Sequence, residues 1–106
     1  MNENEYKSIG KVESWFFKQI EEADLVLIYN KSVKNGNIVE GYVGINTSMD
    51  IGYALGKGKE VILVYPPLDD GIKGLYSIGL VKVMKEEEII DFLRKKIKSY
   101  SVASYQ

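Results

Sequence analysis

Two unbroken apolar runs set the strongest limit on how this 106-residue chain can fold. Residues 24–29 and 60–65 each end in five consecutive apolar side chains, with no alternation between polar and apolar positions. Strands that are covered on both faces, as in a parallel sheet, have this pattern. Pro66 and Pro67 end the second run because proline cannot donate to a strand ladder. Residues 80–84 predict a third, weaker strand.

Amphipathic segments flank these strands and predict three helices, over residues 8–22, 48–57 and 85–98. The third has acidic residues at its start and basic residues at its end, which complement the helix dipole. On the first helix we assign a polar side to the following residues: Lys11, Glu13, Lys18, Glu21 and Glu22. The order of elements predicts one α/β domain over residues 1–106, a small three-layer parallel sheet with right-handed crossovers. Residues 1–7 are expected to form a loose arm and residues 99–106 a polar tail.

Composition restricts the chemistry available to the chain. Since it has no His and no Cys, catalytic triads with His, zinc fingers, disulfides and iron–sulfur sites are excluded. A net charge of -1 argues against a nucleic acid polymer or an anionic membrane as partner. The apolar runs are too short to span a bilayer and the start lacks a secretory apolar segment, so we expect a cytoplasmic location. No metal and no redox cofactor is implied.

The site is expected at the carboxyl ends of the strands, where helix N-termini offer free N–H groups in open parallel sheets. This rule selects residues 30–50 and residues 66–74. Within the first segment, Asn35 and Gly36 predict a tight hairpin. Such a hairpin could cover the site as a flap, or it could only pack on the surface.

Asp50 is the sharpest catalytic candidate, within the sequence NTSMDIGYA of residues 46–54. One interpretation is structural: Thr47 and Asp50 have the spacing of a capping box, in which both side chains bind backbone N–H groups at a helix start. The other is functional, because a carboxylate in the first turn of a helix can attack an electrophilic carbon such as a sugar C1′. The residues alone leave both interpretations open.

Residues 23–28 and, after a long loop, residues 47–64 (TSMDIGYALGKGKEVILV) resemble the nucleoside 2-deoxyribosyltransferase family. The similarity extends over roughly residues 11–98, and residues 47–64 carry most of it. It implies a flavodoxin-like, Rossmann-like fold and a retaining transfer or hydrolysis at the N-glycosidic bond of a nucleoside or nucleotide. Compared with the family pattern, the chain is N-terminally shortened and lacks the first β-α-β unit.

By position, the resemblance assigns Asp50 to the nucleophilic glutamate of the family and Thr47 to the threonine of its Gly-Thr pair. Gly44 stands where many members have an additional aspartate. The candidate substrate-binding residues are Asn30, Gly44, Asn46, Thr47, Ser48, Tyr53 and Pro66. The implied ligand is a small nucleoside or nucleotide, with no cofactor.

Two alternatives to catalysis stay open. One is a module that binds a nucleotide or nucleoside derivative without turnover, and the other is a degenerate scaffold that acts through self-association. Without an opening strand, the run at residues 25–29 would leave an unpaired apolar edge, which promotes association. We therefore predict a homodimer or a higher homo-oligomer, with residues 99–102 able to form an added strand.

Overall fold

The structure, a computed structural model, describes residues 1–96 and 102–105. It is an α/β domain with a four-stranded sheet in the order β5-β4-β1-β6 and a separate hairpin formed by β2 and β3. The elements in chain order are α1 (Glu3–Glu22), β1 (Leu25–Ile28), β2 (Lys31–Lys34), β3 (Asn37–Glu40), α2 (Ile45–Gly56), β4 (Glu60–Leu63), α3 (Asp70–Ser77), β5 (Lys82–Val83), α4 (Glu86–Lys96) and β6 (Val102–Tyr105). The α/β class is thereby confirmed.

All four strands of the sheet run parallel, and β1 lies inside it. The apolar runs form β1 and β4 as predicted, in a register that places Leu25 opposite Glu60 and Ile28 opposite Leu63. α1 packs against α2, and α2 packs against β4. The core consists of buried side chains from these elements, chiefly Ile20, Val26, Ile28, Ile51, Ala54, Val61 and Leu63.

The expected open edge of β1 is occupied by β6 of the same chain. Leu25 pairs with Val102, and Ile28 pairs with Tyr105, in parallel register. The prediction of an unpaired edge is therefore wrong, and self-association across that edge loses its basis. Of the residues expected to form the added strand, 99–101 lie outside the described part of the chain. A homo-oligomer formed through another surface stays a prediction.

α1 begins at Glu3, so the expectation of a loose arm at residues 1–7 is wrong. Asn2 and Glu5 form a capping box: the Glu5 N–H donates to Asn2 Oδ1 at 2.9 Å, and the Asn2 N–H donates to Glu5 Oε1 at 3.5 Å. These contacts satisfy N–H groups at the helix start, and the helix forms there although residues 1–12 are exposed. Over the described residues, no helix combines the length and the apolar character needed to cross a bilayer.

The structure also differs from the sequence predictions at α2 and α3. α2 begins at Ile45, three residues before the predicted start, because Gly44 takes the N-cap position with φ of 86°. α3 forms at Asp70–Ser77, where the sequence predicts no helix. Ile72 is buried in the core. Burial of this side chain offsets the poor helix propensity of the two glycines in α3.

The hairpin of β2 and β3 is confirmed. Asn35 and Gly36 have φ of 51° and 76°, the left-handed values that a two-residue hairpin turn of this type needs at both central positions. The hairpin returns the chain to Gly41, whose N–H donates to the carbonyl oxygen of Asn30 at 2.7 Å. This bond closes the base of the hairpin against the carboxyl end of β1.

We expect Gly41→Ala to destabilise the chain by about 2–4 kcal/mol in urea unfolding. Gly41 has φ of 98°, and a Cβ there would lie 2.3 Å from the Pro66 carbonyl oxygen, so backbone must move. Gly36→Ala is the matched control, because it has a similar left-handed φ but nothing within 4 Å of the added Cβ. Gly36→Ala should lower the free energy of unfolding by only about 1 kcal/mol. Equal losses for the two variants would contradict the close approach.

Candidate functional site

Asp50 is a buried acid on α2 that faces α1. Its side chain is 3% exposed, and the early start of α2 places it beyond the first helical turn. The N-cap of α2 is Gly44, which has no side chain to cap the helix, so the predicted capping box of Thr47 and Asp50 is not formed. The Ser48 hydroxyl donates to the Gly44 carbonyl oxygen within the helix start. Asp50 is thus left out of the helix-capping contacts.

The partner of Asp50 is Glu13 of α1. Burial is the main cause that raises the pKa of Asp50, and the hydrogen bond to Glu13 and the negative charge of Glu13 raise it further, to about 8. Asp50 Oδ1 and Glu13 Oε1 are buried, and no N–H or hydroxyl of the described residues donates to either atom. A hydrogen bond between two carboxyls requires that one carries a proton. At neutral pH Asp50 is therefore mostly protonated.

Glu13 was predicted on the solvent side of α1, and this prediction is wrong. It lies on the same helical face as Phe16 and Ile20, at spacings of three and seven residues, and this face packs toward the core. The signal was present in the sequence as an acid within an apolar stripe. The prediction assigned Glu13 to the polar side because of its charge, whereas its position on the helix indicates the face that packs toward the core.

The carboxyl pair lies in a groove of about 420 Å³ between α1 and the start of α2. Apolar side chains of α1 form one wall. Hydroxyl and amide groups lie on both sides, from Ser8 on α1 and from Asn46 and Thr47 on α2. Such groups hydrogen-bond well to sugar hydroxyls, and the apolar wall suits a planar, uncharged ring. Of the predicted site residues, the groove brings together Asp50, Asn46 and Thr47.

The segment just before α2 is bound by Asp69, which precedes α3. One carboxylate oxygen accepts from the Val43 N–H at 2.9 Å, and the other accepts from the Gly44 N–H at 3.2 Å. Asp69 stands beside Asp70 and Gly71, residue types that are typical of a turn. The N–H groups of Val43 and of the N-cap residue Gly44 are therefore bound within the chain.

Asn30 joins the carboxyl ends of β1 and β4. It is 3% exposed, and its Oδ1 accepts from the N–H groups of Val64 at 3.1 Å and Tyr65 at 2.9 Å. Its Nδ2 donates to the Tyr65 carbonyl oxygen at 2.6 Å. The side chain also borders a small hollow of about 30 Å³, together with Thr47. These contacts assign Asn30 a clear role in holding the strand ends together.

Tyr53 lies away from the groove. Its ring stacks on Phe17 with centroids 4.3 Å apart, and its hydroxyl donates to the Glu21 carboxylate, which raises the pKa of Tyr53. Lys57 Nζ lies 5.5 Å from the centroid of the same ring. The structure does not bring Tyr53 together with Asp50.

Pro66 lines a separate cleft of about 470 Å³ at the carboxyl ends of β4 and β5. Tyr65 and Glu86 also line it, and Tyr29 packs edge-on against Tyr65 with centroids 6.0 Å apart. Hydrogen bonds from the Tyr29 hydroxyl to Tyr65 and Glu86 raise the pKa of Tyr29. This cleft carries aromatic and acidic groups but does not include the carboxyl pair.

Comparisons of the chain with protein-family models, with curated proteins and with solved structures find no match. The resemblance of residues 47–64 to nucleoside 2-deoxyribosyltransferases therefore stays a hypothesis that rests on those residues. The case for Asp50 rests on its burial, its pairing with Glu13 and the adjoining groove.

Proposed function

We propose that the chain cleaves or transfers the N-glycosidic bond of a nucleoside or nucleotide, with Asp50 and Glu13 as the reacting carboxyls. The observation that supports this most directly is the buried carboxyl pair beside a groove that offers hydroxyl and amide groups. Enzymes that cleave glycosidic bonds commonly use two carboxyl groups, one protonated and one ionised. The resemblance of residues 47–64 supplies the substrate class and the proposal of a flavodoxin-like fold.

In the proposed reaction Asp50 is the general acid. Its proton passes to a ring nitrogen of the leaving base, and the C1′–N bond breaks with its electron pair going to the base. The positive charge that develops on the sugar is stabilised by the carboxylate of Glu13. Water or a second base then adds to C1′ and returns a proton to the pair. The raised pKa of Asp50 favours this role over the nucleophile that the resemblance implies.

The test is a chromatographic assay for released or exchanged base. The protein is incubated with 2′-deoxyinosine and adenine, and separately with 2′-deoxynucleoside monophosphates. We expect free hypoxanthine or 2′-deoxyadenosine, and a loss of at least about 100-fold in rate for Asp50→Asn and for Glu13→Gln. Asp91→Asn is the control, since Asp91 is an exposed acid on α4. Undiminished turnover by Asp50→Asn would contradict the proposal.

A second candidate is binding without turnover, which the 470 Å³ cleft beside Tyr65 and Pro66 favours. Its volume lies in the range of small-molecule sites. In this case the same incubations would give no product, but a nucleoside would raise the melting temperature. Variants of Asp50 would leave that rise unchanged, because Asp50 does not line the cleft.

A further inference from the structure

We infer that the first half of α1, residues 3–12, is a lid over the groove, which stays closed while Glu13 and Asp50 share a proton and opens when both are ionised. This inference concerns a movement of the chain, and it does not depend on whether the chain cleaves glycosidic bonds. It follows from the contacts that hold this part of α1 and from the position of the two acids between α1 and α2.

The first half of α1 has little packing outside its own helix. Tyr6, Ile9 and Val12 are each at least 50% exposed, and the one buried residue of α1 is Ile20, close to its other end. A helical segment of this length is marginal in water unless a face of it is packed. The helix therefore depends here on the capping box at its start and on the contacts near Glu13.

Glu13 holds this segment to α2 through Asp50. Glu13 Oε1 and Asp50 Oδ1 are buried, and no N–H or hydroxyl of the described residues donates to either atom. The residues that line the surrounding groove include neither lysine nor arginine. A proton shared by the two carboxyls is therefore what makes their contact attractive.

The charged groups on the neighbouring elements are engaged with other partners. Lys57 Nζ of α2 lies 4.0 Å from the carboxylate of Glu21, about two turns further along α1 than Glu13. On β4, which also packs against α2, the carboxylate of Glu60 binds Lys82 Nζ at 3.0 Å. Two ionised carboxyls in the groove would thus repel each other with no cation among the groove residues to compensate them.

This repulsion is relieved on the side that has fewer contacts. α2 is fixed in the core by Ile51 and Ala54, both 0% exposed, whereas all of residues 3–12 are exposed. Ionisation therefore releases residues 3–12 and opens the groove, one wall of which they form through Ile9 and Val12. Because the open form binds fewer protons than the closed form, a rise in pH favours opening.

The experiment follows the backbone ¹³Cα chemical shifts of residues 3–12 through the pH range in which Asp50 ionises. We expect these shifts to lose at least about half of their helical character, while those of the sheet stay native. In Asp50→Asn and in Glu13→Gln they should stay helical, because only one ionisable carboxyl is left in the pair. Glu21→Gln is the matched control and should open as the wild type does, since Glu21 is another acid of α1 that contacts α2.

Three results would overturn the inference. Shifts of residues 3–12 that stay helical in the wild type after Asp50 has ionised would show that α1 holds both charges in place. A transition that Asp50→Asn and Glu13→Gln retain would show that other groups cause it. Simultaneous loss of native shifts in α1, α2 and the sheet would show that the carboxyl pair holds the whole domain together instead of a lid.

Discussion

Replacing Asp50 by asparagine is expected to stabilise the folded chain above neutral pH while it removes the proposed activity. Burial beside Glu13 raises the pKa of Asp50 from 3.8 to about 8. The folded state therefore binds more protons than the unfolded state between these two values. The free energy of unfolding must fall as the pH rises through this window, with a slope of at most about 1.4 kcal/mol per pH unit for this group.

Asparagine has almost the same shape and does not titrate, so the variant avoids this loss. We expect the two proteins to differ by no more than about 1 kcal/mol at pH 4, and the variant to be more stable by a few kcal/mol at pH 9. For a domain of this size, that is a rise of roughly 10 °C or more in melting temperature. Thermal unfolding followed by circular dichroism at the two pH values measures the difference.

Asp91→Asn is the control for this comparison, because Asp91 is exposed and its substitution changes the net charge by the same amount as Asp50→Asn. Its stability should follow that of the wild type at both pH values. A variant of Asp50 that is less stable than the wild type at pH 9 would show that the carboxylate is well solvated or paired. The gain in stability together with the loss of activity is typical of catalytic groups held in an unfavourable environment.

The second large effect is expected for Asn30→Ala, which should lower the free energy of unfolding by about 3–5 kcal/mol. The side chain accepts from Val64 and Tyr65 and donates to Tyr65 at the carboxyl end of β4. Alanine leaves the N–H and the carbonyl oxygen of half-buried Tyr65 without the Asn30 side chain, and each such group costs about 1–3 kcal/mol. The Val64 N–H loses Asn30 but keeps the Ile28 carbonyl oxygen at 3.2 Å. This loss is comparable with the whole stability of many small domains.

Urea unfolding of Asn30→Ala and of Asn37→Ala measures this effect with a matched control. Asn37 is exposed in the hairpin, and its side chain makes one local hydrogen bond of 3.5 Å. The control should therefore lose less than about 1 kcal/mol. Similar losses for both variants would contradict the role of Asn30 as the link between β1 and β4.

The sequence predicted the parts of the fold whose cause is local. The apolar runs identified β1 and β4, because a strand covered on both faces has no polar positions. Asn35 and Gly36 identified the hairpin turn through their tolerance of left-handed backbone. α3 was not predicted, because it depends on the burial of Ile72, and β6 was predicted only as an added strand over residues 99–102, which share Val102 with it. The pairing of β6 with β1 of the same chain was not predicted. Neither cause is visible within the segments themselves.

The residues of the candidate site were likewise predicted only where their placement has a local cause. Asp50, Asn46 and Thr47 were found because they follow one another at the start of a predicted helix. Glu13 was missed because it reaches the groove from a distant part of the chain, through the packing of α1 on α2. The contact of Asp69 with the N–H groups before α2 was missed because it depends on the position of the loop before α3. Their residue types alone predict a solvated acid and a turn.

The most direct test of the central claim is a ¹³C NMR titration of the Asp50 side-chain carboxyl, with the resonance assigned from its absence in Asp50→Asn. The environment beside Glu13 predicts a midpoint at about pH 8 for Asp50. A midpoint close to pH 4 would show that Asp50 is an ordinary carboxylate at neutral pH. Asp50 would then have no proton to donate, and the proposed acid would have to be sought elsewhere.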